Sequence, residues 1–337
     1  MVVTDRPAAA PSSSPSPTKR RGLRVATLVA AALLPWTWFW PRDRFVAADL
    51  VALATPLLIV PVMIVVVVSL VRRGAVLAIV SVSVLAMFTA TVVAPWWPRS
   101  TPPPAVPLRF VSVNANMYTT SSEAKAAAIL HGSPDVVGVV EARTDLLDAL
   151  RSTLPNVATS RTLMSFGGEA ILSRWPVRQV LLPRPVPADF AGVLAVVDSP
   201  AGQIAVLAVH LRRAVIDITA ERQRATIEWA AEVLATTGLP AVLLGDLNMS
   251  DRQTPYRWLT DRFRDAGRAD AAGPTFFGSR AEVFLFRIDY VFIPRSWCAD
   301  DARSFGVPGS DHRGVRVTVG PCRAGAAATA GPPAATK

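Results

Sequence analysis

Polar side chains that could do chemistry stand at the ends of short apolar runs between residues 108 and 319. Runs of this kind, rich in valine, isoleucine, leucine and alanine, are typical of buried strands. Six strand termini offer a carboxylate, an amide or an imidazole, and they can converge on one cleft if the strands lie side by side. The residues concerned are Asn114, Glu141, His210, Asp246 with Asn248, Asp289, and Asp311 with His312.

Each of these residues, taken alone, also has a purely structural interpretation. Asn and Asp after a strand commonly form turns. Glu141 could cap the helix that follows it, and His210 could be a hydrogen-bonded histidine at the end of a sheet. His131, next to Gly132, is expected to end a helix and has no predicted role. The chemistry therefore depends on whether the fold brings the whole set together.

The elements that must position these residues are short strands mixed with amphipathic helices, which predicts an α/β or α+β domain. The sequence has no internal repeat of fixed period. Strands are predicted over residues 108–113, 136–140, 170–173, 192–197, 204–210, 241–245, 288–293 and 315–319, and helices over 121–130, 146–150 and 216–235.

The first 106 residues differ in character, because three long uncharged apolar runs occupy most of them. The runs cover residues 25–41, 50–71 and 74–98, and a helix needs roughly 20 apolar residues to span a bilayer. We therefore predict a disordered tail over residues 1–23 and three transmembrane helices within residues 24–98. A cleaved signal peptide is an alternative for the first run, and core helices of a soluble protein are an alternative for all three.

Basic residues and tryptophans predict the orientation of these helices. The loops richer in Lys and Arg stay in the cytoplasm, and three spans from an inside N-terminus leave the rest of the chain outside the cell. Trp36 and Trp97 would then lie at the same outer interface. The predicted organisation continues with a Pro-rich linker over residues 99–107, an extracellular catalytic domain over 108–320 and a flexible tail over 321–337. The protein is thus predicted to be a multi-pass protein of the cell membrane whose partner is the lipid bilayer.

The net charge of +10 lies mainly in the membrane region. Up to residue 106 there are 10 basic and 3 acidic residues, and from residue 107 onward there are 25 and 22. A domain charge of about +3 weakens any argument for nucleic-acid binding from composition. The two cysteines, Cys298 and Cys322, have no zinc-site spacing. They could pair in an oxidising compartment or remain two thiols.

Taken together, the polar strand ends resemble the motifs of the endonuclease/exonuclease/phosphatase superfamily over residues 108–319. The resemblance implies a four-layer α/β sandwich like that of DNase I. The three-helix anchor is similar to that of the membrane-bound VanJ-type teicoplanin-resistance proteins. The matching segments are Val113-Asn114, the run from Pro134 to Glu141, Ile171-Leu172-Ser173-Arg174, Val209-His210-Leu211, Gly245-Asp246-Leu247-Asn248, Arg287-Ile288-Asp289-Tyr290 and Ser310-Asp311-His312.

Phosphoester hydrolysis needs a hard cation, and Mg²⁺ or Mn²⁺ prefers carboxylate and other oxygen ligands. Glu141 is the expected metal ligand, with Asn114 and Asp311 joining it. Asp246 would orient or deprotonate the attacking water, and Asn248 would bind a phosphate oxygen. The remaining expected catalytic residues are His210, which would stabilise the transition state or protonate the leaving oxygen, and the pair of Asp289 with His312 that the resemblance implies.

Two positions depart from the family pattern. Some members carry an acid two residues after the first Asn, where this chain has Asn116, and this argues against a second tightly bound metal. Many members carry Gln before the metal-binding Glu, where this chain has Val140. Contacts to the substrate are expected to differ there.

The expected function is hydrolysis of a membrane-associated phosphate or diphosphate, such as a polyprenyl carrier lipid of cell-wall synthesis, with a link to glycopeptide resistance. A cell-surface nuclease would use the same site chemistry and is the first alternative. A non-catalytic binding module on the same fold is the second alternative. Activity towards lipid phosphates and DNA would discriminate among the three.

Overall fold

The computed structural model describes residues 101–119, 121–160, 168–214, 219–270, 273–276 and 286–323, with residues 97–99 and scattered positions between 63 and 89. The predicted tail 1–23, most of the predicted spans within 24–98, and the tail from residue 324 onward lie outside the described residues. Among the residues that are described, no helix is long and apolar enough to cross a membrane. The three spans therefore stay a prediction.

Apolar runs rich in β-branched residues form the strands, because such side chains pack well on a pleated surface. In chain order the described elements are β1 (Leu108–Asn114), α1 (Ser122–Leu130), β2 (Val136–Ala142), α2 (Thr144–Arg151), β3 (Asn156–Thr159), β4 (Gly168–Ser173), β5 (Val177–Val180), β6 (Phe190–Ser199), β7 (Gly202–Leu211), α3 (Ala220–Thr236), β8 (Ala241–Asp246), α4 (Thr254–Arg262), β9 (Phe263–Asp265), β10 (Asp289–Pro294), β11 (Trp297–Gly306) and β12 (Arg313–Pro321).

The strands form two six-stranded sheets. Their strand orders are β11-β12-β1-β2-β4-β3 and β5-β6-β7-β8-β10-β9. Each sheet contains one parallel pair, β1 with β2 and β7 with β8, and a helix joins the two strands of each pair. Parallel strands end at the same edge of a sheet. This places Asn114 beside Val140 in one sheet and His210 beside Asp246 in the other.

The two sheets pack face to face, with the helices on their outer faces. Side chains such as Phe110, Val206 and Leu244 form a core between the sheets. A second core lies between one sheet and the face of α1 and α2, and a third lies between the other sheet and α3 and α4. The chain is therefore an α/β sandwich of two sheets covered by helices, and the predicted sandwich is confirmed for the described domain.

Several elements differ from the prediction. The long helix begins at Ala220 rather than residue 216, because the hydroxyl of Thr219 caps it by accepting from the backbone N–H of Arg222. Strand β11 was not predicted. It is an edge strand of mixed polarity with an irregularity between Asp300 and Arg303, so it lacks a hydrophobic period. Strands β3, β5 and β9 were missed because each has only three or four residues.

Part of the predicted linker lies against the domain. Thr101 Oγ1 donates to the carbonyl of Ala299 at 2.6 Å and accepts from its N–H at 2.9 Å, and the N–H of Ala105 donates to Pro321 O at 2.8 Å. Ala299 pairs with Val319, which pairs with Leu108 at the start of β1. The segment therefore joins the domain at the end of β1 that is opposite to Asn114.

The two cysteines form a disulfide. Cys298 lies in β11 opposite Gly320 of β12, and Cys322 follows β12, so pairing of the two strands brings the cysteines to a Cα–Cα distance of 4.9 Å. That separation lies within the range that a disulfide can bridge. Of the two possibilities left open by the sequence, the structure contains the bonded pair, which links the last strand to its neighbour.

Candidate active site

The predicted site residues meet at one end of the sandwich, between the two sheets. Asn114 ends β1, and its side chain points to the same inner side as Phe110 of that strand. His210 and Asp246 are register partners at the ends of β7 and β8, and Asp246 is also the partner of Asp289 at the start of β10. Strand pairing alone therefore gathers three of the predicted residues, and Asn114 faces them from the other sheet.

Asn114 links the metal-binding candidate of one sheet to the carboxylate of the other. Its Nδ2 donates to Glu141 Oε1 at 3.0 Å and to Asp246 Oδ2 at 3.1 Å. Asn114 and Asp246 are buried, whereas Glu141 is partly exposed. The amide thus holds two carboxylates close together at the mouth of the cleft.

His210 stands over these two carboxylates. Its Nε2 lies 3.7 Å from Glu141 Oε1 and 3.7 Å from Asp246 Oδ2. About a quarter of its side chain is exposed, at 26%, against 2% for Asp246. His210 can therefore reach a bound substrate from the solvent side of the cleft, while Asp246 forms its floor.

Asp289 and His312 form the pair that the resemblance implied. His312 Nδ1 is 2.9 Å from Asp289 Oδ2, and Nε2 is 3.7 Å from Asp246 Oδ2. Burial acts to lower the pKa of His312, but the carboxylates of Asp289 and Asp246 outweigh it and raise that pKa to about 10. The two carboxylates therefore favour the protonated form of the ring.

The acid and imidazole groups of Asp246, Asp289 and His312 lie mutually within 4.8 Å. Within this trio Asp289 already bonds His312 at 2.9 Å, and all three side chains are buried. Glu141 and Asp311 are more accessible oxygen donors, and Mg²⁺ prefers oxygen ligands. Asn116 joins Asp311 to this centre, since its Nδ2 donates to Asp311 Oδ1 at 2.9 Å and its backbone N–H donates to Asn114 Oδ1 at 3.0 Å. This oxygen-rich set fits Mg²⁺ or Mn²⁺.

Three residues of the site hold a left-handed backbone. The φ angles are +50° at Asn116, +53° at Glu141 and +46° at Asn248. This conformation costs roughly 1–2 kcal/mol for most residues other than glycine, and Asn tolerates it better than Glu does. Glu141 adopts it where the pairing of β2 with β4 shifts register between Val139 and Ala142, and such a bulge re-aims a side chain. The bulge thus turns Glu141 towards the cleft.

Gly245 is required next to Asp246. It has a φ of +131°, and a Cβ at this position would collide with the carbonyl of Val209. The close approach of β8 to β7 depends on the missing side chain. It keeps Asp246 within reach of His210.

Asn248 reaches across to the end of β7. Its Nδ2 donates to Leu211 O at 2.8 Å, and its backbone N–H donates to Asp246 Oδ1 at 2.9 Å. A side-chain amide carries two N–H groups, so a second donor remains to meet a phosphate oxygen. One N–H of the Asn248 amide therefore fixes the side chain to β7, and the other is available to a substrate.

Sequence reasoning missed the residues that support this set. Thr275 Oγ1 accepts from the backbone N–H of Asp289 at 3.1 Å. The buried Lys125 donates to Asn116 O at 3.0 Å, and burial lowers its pKa. These side chains bind backbone atoms or hydroxyl groups, which leave no motif in the sequence.

A model of the Endonuclease/Exonuclease/phosphatase family matches residues 111–312. A solved endonuclease/exonuclease/phosphatase from Beutenbergia cavernae DSM 12333 is 21% identical with a TM-score of 0.51, covering 65% of this chain and 72% of that one. Another, from Bacteroides vulgatus, is 16% identical with a TM-score of 0.52, covering 64% and 99%. TDP2 from D. rerio, complexed with a single-strand DNA product, is 15% identical with a TM-score of 0.50, covering 63% and 98%. These structures share the fold. No curated protein matches the sequence.

Proposed function

Because the chain belongs to the endonuclease/exonuclease/phosphatase family, we propose that it is a divalent-metal-dependent hydrolase that cleaves a phosphoester by direct attack of water. The observation that carries this proposal is the grouping of Glu141, Asp246 and His210 around the amide of Asn114 at the open end of the sandwich. Phosphoester hydrolysis needs neutralisation of the phosphoryl charge and an oriented water. The grouped residues suit both requirements.

Glu141 is proposed as the main metal ligand, assisted by Asn114 and Asp311. Bound Mg²⁺ or Mn²⁺ would supply positive charge against the non-bridging oxygens of the substrate. Glu141 is held for this task by two hydrogen bonds, from Asn114 Nδ2 at 3.0 Å and from the backbone N–H of Met117 at 3.3 Å. Asp311 lies on the exposed side of the same network.

The other site residues are proposed to act on the water and the phosphoryl group. Asp246 is fixed by Asn114 and by the backbone of Asn248, so its carboxylate can orient the attacking water and accept its proton. Asn248 would donate to a phosphate oxygen. His312, as an imidazolium beside Asp246, and His210, at the cleft mouth, would stabilise the transition state or protonate the leaving oxygen.

The finer proposal is that the substrate is a lipid-linked phosphate or diphosphate of cell-wall synthesis, and that its hydrolysis contributes to glycopeptide resistance. Among the residues from 101 onward that the structure describes, the exposed large hydrophobic side chains are Tyr118, Leu181 and Val186, which we call the apolar rim. Tyr118 is 81% exposed in the loop after β1, and Leu181 is 76% exposed in the loop between β5 and β6. Both loops lie at the end that holds the site, and apolar surface placed there suits an apolar substrate tail.

The position of the linker adds a constraint to this proposal. The chain joins the domain near Leu108, and six residue steps of about 3.3 Å separate Leu108 from Asn114. The site therefore lies about 20 Å from that junction. To act on a lipid, the domain must tilt so that the apolar rim meets the headgroups.

A cell-surface nuclease is the second candidate function. The TDP2 structure from D. rerio contains a DNA product, and the same chemistry would cleave a phosphodiester of nucleic acid. Against it stands the small net charge of the domain. A non-catalytic binding module is disfavoured by the fully assembled set of acid, amide and imidazole groups.

Replacing the rim residues is expected to separate these functions. In full-length protein in liposomes, the double variant Leu181→Ser and Val186→Ser should lose most of its release of phosphate from polyprenyl phosphate or diphosphate. Its hydrolysis of a small soluble phosphoester should stay within about twofold, because rim residues do not touch the reacting atoms. Loss of both activities, or none of either, would count against a lipid substrate. Rapid cleavage of DNA with no release from lipid would favour the nuclease.

We also propose that the domain lies outside the cell, held by the predicted membrane helices. The disulfide between Cys298 and Cys322 supports this location, because such bonds persist in oxidising compartments. An alkaline phosphatase fused after Arg323, which is active only after export, should be active. A cytoplasmic reporter at the same place should be silent. The reverse result would place the domain inside the cell.

A further inference from the structure

Gln223 lies in the first turns of α3, a helix to which no site residue belongs, and its side chain is buried at 1% exposure. Its Nε2 donates to Arg212 O at 2.9 Å, to Asn248 O at 3.1 Å and to Leu247 O at 3.4 Å. The first carbonyl belongs to the loop after β7, and the other two belong to the loop after β8. One amide group therefore ties the segment that directly follows β7, two residues after His210, to the loop after β8, which carries Asn248.

We propose that Gln223 is a positioning residue for the active site, which sets the spacing and orientation of His210 and Asn248. The inference rests on the proposed phosphoester hydrolysis, because these two residues matter only if the cleft is catalytic. Gln223 does not touch the cleft itself. It acts through the backbone of the two loops.

The polarity of the contacts fixes which end of the amide faces the loops. Carbonyl oxygens only accept hydrogen bonds, so the group facing three of them must be the NH₂. The Oε1 of Gln223 is buried without a hydrogen-bond partner among the described residues. An unpaired buried oxygen is unfavourable. The position therefore satisfies the NH₂ group of Gln223 and leaves its Oε1 without a partner.

The left-handed backbone in the loop after β8 explains why a hydrogen-bond donor is needed there. Asn248 has a φ of +46°, and its side chain also donates to the carbonyl of Leu211, the last residue of β7. Without the NH₂ group, the carbonyl of Asn248 would lose its partner, and the loop would be free to leave the left-handed conformation. Because Asn248 also holds Leu211, the shift would carry over to His210.

The test compares Gln223→Met and Gln223→Glu with Thr226→Val in the full chain. Methionine keeps the length without donors, and glutamate turns acceptor oxygens towards the carbonyls. Thr226 is a matched control, since it is buried in the same helix and its hydroxyl bonds only to Arg222 O within that helix. Turnover of bis(p-nitrophenyl) phosphate and p-nitrophenyl phosphate is measured with Mn²⁺, well below the melting temperature.

Both Gln223 variants are expected to lower kcat by about 10- to 100-fold, the effect of a displacement near 1 Å. KM should change by about twofold or less, and Thr226→Val should behave as wild type. In a His210→Ala background, Gln223→Met should reduce kcat by only about threefold further, because the two changes damage one unit. A purely structural residue would give no such coupling.

The proposal and the proposed function fail in distinguishable ways. A wild-type protein without turnover of either ester would remove the proposed function. An active wild type with unchanged kcat in both Gln223 variants would overturn the inference, as would full additivity with His210→Ala. If both variants fail to fold, the amide serves stability rather than alignment, and the inference is again wrong.

Discussion

Replacing Glu141 by Gln is expected to lower turnover of a soluble phosphoester by about 10³-fold, and Asp246→Asn is expected to do the same. Each substitution keeps the shape of the side chain and removes its negative charge. Glu141 would lose its hold on the cation, and Asp246 would lose the ability to accept a proton from water. Chelation of the divalent metal should abolish wild-type turnover, and Mg²⁺ or Mn²⁺ should restore it.

Metal binding gives these variants a readout that does not depend on activity. Titration of Mn²⁺ followed by electron paramagnetic resonance should show a high-affinity site in the wild type and in Asp246→Asn, and a much weaker site in Glu141→Gln. Glu123→Gln, an exposed glutamate on α1, is the matched control and should match the wild type in both assays. Full activity in chelator, or in Glu141→Gln, would contradict the metal-dependent mechanism.

The strand ends could be predicted from the sequence because their signal is local. An apolar run followed by Asn114, His210 or Asp246 is visible within a few residues, and parallel pairing then brings the ends to one edge. The pairing of Asp289 with His312 is not local. It joins β10 of one sheet to the residue before β12 of the other, so only the family resemblance supplied it.

The residues that fix the loops were invisible to the same reasoning. Gln223 binds carbonyl groups 11, 24 and 25 residues away, and the sequence of α3 records only a helical period. The left-handed backbone at Glu141 depends on a register shift between β2 and β4, and no residue in the sequence indicates that shift. Tertiary contacts determine these side-chain and backbone details, whereas local hydrophobic patterns determine where helices and strands form.

A buried ionic network supports the start of β10 in a comparable way. The guanidinium of Arg287 binds both oxygens of Asp265 at 2.6 Å, and the hydroxyl of Tyr256 donates to the same carboxylate at 2.8 Å. Tyr290 OH donates to the carbonyl of Arg287 at 2.6 Å. Removing one partner of a buried ion pair leaves an uncompensated charge. The network therefore fixes the backbone two residues before Asp289, which the motif alone does not reveal.

The second large effect is expected from the Asp289–His312 pair. His312→Gln removes the imidazolium that lies 3.7 Å from Asp246, and turnover should fall by about 10²- to 10³-fold. Asp289→Asn keeps the ring in place but removes the carboxylate that maintains its charge, and a similar loss is expected. The turnover of the double variant should lie within about twofold of that of the slower single variant, because both residues act as one unit.

His131 supplies the matched control for this prediction. His131 is exposed and directly follows α1, where its backbone N–H donates to Ala127 O at 3.1 Å. This end of α1 leads to the start of β2, whereas Glu141 lies at the other end of that strand. His131→Gln should therefore leave kcat unchanged. Folding of each variant is checked by its melting temperature, since Asp289 is buried and its replacement also changes stability. Independent, additive losses in the double variant would contradict the paired role, and a His312→Gln enzyme with wild-type turnover would remove the imidazolium from the mechanism.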